Sequence, residues 1–162
     1  MSFDKDQSAG YVVNHMARLF AAALTERIKP LGLSTGQFPI LLQLWSEEGL
    51  TQKQLVERLD LEQATIANTL TRMERDGLIE RRPHPQDGRA QCIYLTVKAR
   101  ALEAPATDAA RAVNEAALAP LPPVARKAFL RVMGQVIDAL QADLKRKGME
   151  DAEGSGRSDT AS

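Results

Sequence analysis

A mainly α fold carrying one small β-hairpin is what this sequence predicts, and three observations predict it. Apolar residues recur at helical spacing along most of the chain, beginning with Met16, Leu19, Phe20, Ala23, Leu24 and Ile28. Aromatics make up only 4% of the residues while Ala and Leu dominate, which favours helix over sheet. Between residues 78 and 95 the pattern changes to two short runs joined by a tip with two prolines and a glycine.

Composition narrows the class. A length of 162 residues fits one domain with extensions, and 44% apolar content suffices for a core. The formal net charge is zero, so any polyanion must meet a local basic surface and not bulk charge. Residues 72–100 supply one: seven Arg or Lys stand against four acids. Cys92 is the single cysteine, which excludes an intrachain disulfide. No apolar run has membrane-spanning length, and residues 1–7 are polar and acidic, unlike a signal peptide. A cytoplasmic location with no membrane partner is expected.

Each element can be argued in order. The first helix is expected over about 10–29, ended by Pro30 and Gly32. Ser34 with Gln37 three residues on forms a capping-box signal for a second helix, whose inward stripe is Phe38, Leu41, Leu42 and Trp45. Thr51 with Gln54 repeats that signal for a short third helix with Leu55 and Leu59 inward. Asp60 and Leu61 make a turn, and a fourth helix spans about 62–76 before Gly77 stops it. Ile66, Leu70 and Met73 share its inner face, while Ala64, Thr65, Asn68, Thr71, Arg72 and Arg75 lie opposite.

Strands follow at about 78–82 and 91–95, with Ile93 and Leu95 inward and Cys92 and Tyr94 on the other face. Thr96 caps a fifth helix reaching about residue 119, which Pro105 should kink or split. After a break at 121–123, a sixth helix over about 124–145 carries Phe129, Met133, Val136, Leu140 and Leu144 in one stripe. From about Lys147 onward the chain is small, polar and Gly/Ser-rich, and is expected to be disordered.

A short capped helix, a tight turn, a polar-faced helix and an arginine-tipped hairpin make a winged helix-turn-helix, a plan that reads double-stranded DNA. A helix fits the major groove, where base edges carry a distinct donor and acceptor code. On the fourth helix Asn68 suits adenine and Arg72 suits guanine or a phosphate. Gln63, Thr65 and Thr71 suit bases or backbone, and Ala64 permits close approach. Thr51 and Lys53, at the start of the third helix, suit phosphates. At the hairpin tip Arg89 suits a narrow minor groove, with Asp87 expected to hold its guanidinium as a bidentate pair. Arg82 and His84 are placed to touch DNA backbone nearby. Each residue alone would read as ordinary solvated surface; the conjunction carries the reading.

That stretch resembles the MarR family of bacterial transcription regulators. The resemblance covers about 10–144 and is sharpest at Gly77-Leu78-Ile79-Glu80-Arg81, Asp87-Gly88-Arg89 and Leu95-Thr96. It implies a homodimer on a pseudo-palindromic operator, generally a repressor, released by a small-molecule effector that is often aromatic or phenolic. It also implies a layout: a dimerisation helix in 1–33, a DNA-binding lobe in 34–96, further dimerisation helices in 97–146 and a tail in 147–162. The family's first helix borders its effector pocket, which makes Tyr11, His15 and Arg18 candidate ligand residues. Gly88 stands where many relatives carry arginine, and Ala67-Asn68 where threonine-arginine is frequent, so operator preference should differ.

Two alternatives stay open from the residues. One is a redox-responsive regulator using Cys92, its thiol activated by Arg81 or Arg82 across the hairpin. The other is a winged-helix module that binds protein. Catalysis is not expected: His15 and His84 lie on separate elements, no Cys, His and carboxylate cluster has metal-ligand spacing, and no phosphate-binding glycine loop or nucleophile elbow occurs. No metal or cofactor is expected.

Overall fold

The computed structural model describes residues 4–155 of the chain. In order these form α1 (Ala9–Ile28), α2 (Phe38–Ser46), β1 (Leu50–Thr51), α3 (Gln52–Leu59), α4 (Gln63–Arg75), β2 (Ile79–Pro83), β3 (Gln91–Leu95), α5 (Val97–Ala101), α6 (Glu103–Leu118) and α7 (Pro123–Ser155). Residues up to Ala117 make one compact unit and those from Leu118 a second.

Local chemistry explains the boundaries in the first unit. At Ser34 the capping box forms in both directions: Gln37 N–H donates to Ser34 Oγ at 3.3 Å, and Ser34 N–H to Gln37 Oε1 at 3.1 Å. The helix proper starts later than Ser34 suggests, at Phe38, with a turn over 35–37. The box at Thr51 is also reciprocal, through Gln54 N–H to Thr51 Oγ1 at 3.2 Å and Thr51 N–H to Gln54 Oε1 at 2.8 Å. Asp60 ends α3 in the left-handed conformation at φ 50°, which aspartate tolerates, and Gly77 ends α4 at φ 70°.

The sheet is larger than a two-stranded wing. β2 and β3 form the expected hairpin, with Ile79 opposite Leu95 and Arg82 opposite Cys92. β1 pairs with the other edge of β3, Leu50 opposite Ile93 and Thr51 opposite Cys92, so the order is β1-β3-β2. Cys92 thus has a strand on each side and is only 4% exposed, which corrects the picture of a thiol on an open wing face. Gly49 leads into β1 at φ 80°, where an added Cβ would lie 3.1 Å from Tyr94 Oη, so any other residue there is strained.

Leu41, Leu44, Leu55, Ile66, Leu70, Met73 and Ile93 are fully buried and make one core shared by α2, α3, α4 and the sheet. Ile28 and Ala106 add α1 and α6 to that core. Trp45 is half-buried, packs edge-on to Phe38 and donates from Nε1 to the Ala99 carbonyl at 3.0 Å.

Pro105 splits the expected fifth helix instead of kinking it. α5 stops at Ala101 and α6 starts at Glu103, which puts Pro105 in a first turn where its missing N–H leaves no bond unmade.

In the second unit α7 opens on Pro123 and runs to Ser155, beyond the expected end near residue 145. The pair Lys147–Asp143, one turn apart at 3.3 Å, lies across the point where disorder is expected to begin, and residues 147–155 are helical instead. Residues 156–162 of the expected tail lie outside the described ones. In the α7 stripe Phe129 and Met133 are half-buried, whereas Val136, Leu140 and Leu144 are exposed. Among the described residues no helix is long and apolar enough to cross a membrane.

Candidate nucleic-acid interface

The polar face of α4 is presented outward. Ile66, Leu70 and Met73 are fully buried, and that anchors the helix with Gln63, Ala64, Thr65, Asn68, Thr71 and Arg72 exposed on the other side. Thr71 Oγ1 donates to the Ala67 carbonyl at 3.0 Å, so its hydroxyl proton is used within the helix and the oxygen is left as an acceptor. The far end of α4 is fixed by Asp76, whose carboxylate accepts from Gln37 Nε2 at 3.0 Å and Arg75 Nε at 3.1 Å. The bond from Arg75, then that from Gln37, holds the Asp76 carboxyl below its ordinary pKa.

A groove of about 920 Å³ lies between the start of α3, the start of α4 and the wing tip. Lys53, Gln63, Arg81, His84, Asp87 and Arg89 all contribute to its walls. The structure therefore gathers Thr51, Lys53, Gln63, Asp87 and Arg89 around one concavity, while Ala64, Thr65, Asn68, Thr71 and Arg72 lie on α4 outside its walls.

Most cations of this region are already engaged. Arg75 pairs with Asp76 at 3.1 Å, Arg81 with Glu74 at 3.3 Å, and Arg82 with Glu80 at 3.2 Å. Arg82 also stacks over the Tyr94 ring at 4.4 Å. Lys98 donates to the Asp76 carbonyl at 2.9 Å, and Arg100 pairs with Glu48 at 2.8 Å. Among the described residues the charged ends of Lys53, Arg72 and Arg89 have no such partner.

One expected contact is absent. Asp87 does not grip the Arg89 guanidinium; its Oδ1 accepts the Arg89 backbone N–H at 3.0 Å. A short carboxylate two residues earlier in a turn reaches the main chain before it reaches the end of a long side chain. Sequence reasoning also overlooked what His84 does there. Its Nδ1 accepts from Gln86 N–H at 3.1 Å and from Asp87 N–H at 3.2 Å. The signal available was a side-chain acceptor just before the turn, a place usually held by Asn, Asp or Ser.

Glu48 was not among the expected residues either. It accepts Leu95 N–H at 2.7 Å and two bonds from Arg100 Nη2, and so fastens the end of β3 to the next helix. Burial raises its pKa, but the hydrogen bonds from Arg100 and Leu95, with the charges of Arg100 and Arg82, outweigh this and hold it below 4.5.

Tyr11, His15 and Arg18 are exposed on α1, and Lys5 Nζ lies 5.4 Å from the Tyr11 ring centre. None of the three lines the second cavity, of about 470 Å³, which begins on α1 at Phe20, two residues beyond Arg18. Its walls include Phe20, Leu24, Phe38, Leu42, Arg111 and Asn114, a mostly apolar set with a guanidinium and an amide. Among the described residues no group of His, Cys, Asp and Glu is arranged to hold a metal ion.

The MarR family model matches residues 33–90. An organic hydroperoxide resistance transcriptional regulator from Bacillus subtilis is 37% identical over 89 residues, covering 52% of this chain and 60% of that protein. The PcaV transcriptional regulator from Streptomyces coelicolor, solved with its natural ligand, is 25% identical with a TM-score of 0.77, covering 86% of this chain and 99% of that one. The transcriptional repressor CouR, solved on a 23-mer DNA duplex, shares the fold at TM-score 0.75 and 22% identity, covering 84% and 99%. Among the sequence relatives the matches span only 50% to 63% of the relatives' own length.

Proposed function

We propose that this chain is a member of the MarR family, whose model matches residues 33–90, and that it is a cytoplasmic, homodimeric regulator of transcription that binds a pseudo-palindromic operator and acts without catalysis. The carrying observation is α4: a helix anchored by three fully buried side chains, with Asn68, Thr65 and Arg72 exposed on its outer face. That arrangement suits the major groove, with the wing and Arg89 reaching the neighbouring minor groove. CouR supports the reading at the level of fold, since that repressor is seen on duplex DNA.

A second copy of the chain suits the apolar side chains left in water. On α1, Val12 and Leu19 are exposed, and on α7 Leu130, Ile137, Leu140 and Leu144 are. Apolar stripes of this kind mark association surfaces, and a twofold dimer would offer two reading helices to two half-sites. Control by a small effector is favoured by the cavity lined by Phe20, Phe38 and Arg111. PcaV was solved with a natural ligand, which supports an effector role for this fold. Burial of Cys92 weighs against oxidation sensing through that thiol.

The test is binding of the chain to duplex DNA from upstream of its own gene, by fluorescence anisotropy at several salt concentrations. Salt-sensitive binding that Arg72→Ala and Arg89→Ala weaken, with folding and dimerisation intact, supports the reading. An absence of salt-sensitive binding would move the protein toward the alternative of a protein-binding module.

A further inference from the structure

We propose that His84 is a positioning residue for the wing: the unprotonated Nδ1 of its ring holds the tip in the shape that presents Arg89, so that acid loosens the wing. The inference rests on the DNA-binding reading above and adds a means of regulating the same surface.

The tip runs from His84 to Ala90, and five of its six backbone N–H groups, all but that of Gly88, donate within it. His84 N–H donates to the Ala90 carbonyl at 2.9 Å, and Ala90 N–H to the Asp87 carbonyl at 3.1 Å. Arg89 N–H donates to Asp87 Oδ1 at 3.0 Å. Gln86 and Asp87 N–H both donate to His84 Nδ1, at 3.1 and 3.2 Å. Pro85 has no N–H to place. Two side chains, His84 and Asp87, therefore take three of these N–H groups and dictate the path of the loop between the strands. The guanidinium of Arg89 has no ion-pair partner among the described residues, and the path of the loop sets the point from which that side chain leaves the backbone.

The chemistry of Nδ1 is one-sided. Both of its neighbours are N–H donors, so the atom must carry a lone pair and Nε2 must carry the ring proton. A second proton would turn Nδ1 into a donor facing two donors, and both bonds would go. The imidazole is half-exposed beside the groove, so protons reach it. The charged groups around that groove are Lys53 from α3, Arg81 from β2, and Asp87 and Arg89 from the tip. The start of α4 gives only Gln63, and β3 gives Gln91 and Ile93. Histidine is the side chain that gains charge in the physiological pH range.

The sign of the effect separates this role from a simpler one. A histidine that touched a phosphate would bind DNA more tightly when protonated. A histidine that shapes the tip through its lone pair makes binding weaker when protonated.

The experiment compares native protein with His84→Asn and His84→Ala at about pH 8 and about pH 5.5, spanning the histidine range. Asn offers an amide oxygen the same number of bonds from Cα as Nδ1, and it does not titrate. Two quantities are read: affinity for the upstream duplex, and protection from exchange of the Gln86 and Asp87 amides by NMR without DNA. At the higher pH His84→Ala should bind about tenfold more weakly, as for loss of one anchoring side chain, while His84→Asn stays near native. On acidification native protein should lose affinity and amide protection, and His84→Asn should keep both. Native-like protection and affinity in His84→Ala would overturn the proposal. So would a native protein that binds more tightly in acid through His84. Protection lost in His84→Ala and kept in His84→Asn supports the tip geometry even if native protein binds no duplex, the outcome that instead defeats the regulator reading.

Discussion

The proposed DNA binding should carry a salt dependence set by the cations the fold leaves free. Arg75, Arg81, Arg82 and Arg100 are matched to carboxylates within the chain, and Lys98 to a carbonyl. Lys53, Arg72 and Arg89 remain on the proposed contact surface without such partners. A dimer brings two copies of each, about six phosphate-seeking cations, and at about 0.9 counterions per neutralised phosphate the slope of log K against log salt comes to about −5. Raising salt from about 50 to about 200 mM should then cost native protein about 10³-fold in affinity. Arg72→Ala removes two cations per dimer, which should flatten the slope by about 1.8 and reduce that loss to about 10²-fold. Fluorescence anisotropy across a salt series measures both quantities. A slope that Arg72→Ala leaves unchanged would refute the assignment of Arg72 to a phosphate. A native slope much steeper than −5 would show that the internally paired arginines swap partners on DNA, and the count would be wrong.

Three further outcomes follow from the packing and the ionisable groups. Leu70→Ala empties a fully buried site behind the outward face of α4 and should cost about 2–5 kcal/mol in urea unfolding; a cost near zero would mean that α4 is not anchored as described. Gly49→Ala places a Cβ 3.1 Å from Tyr94 Oη at φ 80°, and about 1–2 kcal/mol of destabilisation is expected from the backbone conformation alone; an unchanged urea midpoint would contradict the left-handed backbone at that position. Because Glu48 is held below 4.5 in the fold, its carboxylate contributes stability that is present above that pH and lost as pH falls through the folded pKa. Glu48→Gln should therefore flatten the fall in stability below about pH 4.5, and parallel unfolding curves for the two proteins would rule the contribution out.

How much of this was legible depended on how local the determinants are. The start of α3 and the inner face of α4 were readable because Thr51–Gln54 and Ile66, Leu70 and Met73 lie within a turn or two of one another. β1 was not readable: it has only two residues, and its partners on β3 are about forty positions away. Missing it also misplaced Cys92, which is exposed on a ribbon but buried on the centre strand. Pro105 was rightly seen as a breaker, yet whether it kinks or splits depends on where the next helix starts. At the tip the residue types were read correctly, but Asp87 and His84 use their acceptors on the main chain instead of on arginine. Glu48 escaped notice because its value comes from Leu95 and Arg100, both remote in sequence.

The extra strand has a mechanical consequence. β3 is clamped along both edges near Cys92, so the hairpin behaves as a cantilever rooted in the core, with its free end beyond Pro83 and Gln91. Force or sequence change applied at that free end is borne by a handful of turn bonds and hardly felt at the root. Drift in the tip can thus retune the proposed DNA preference while leaving foldedness alone.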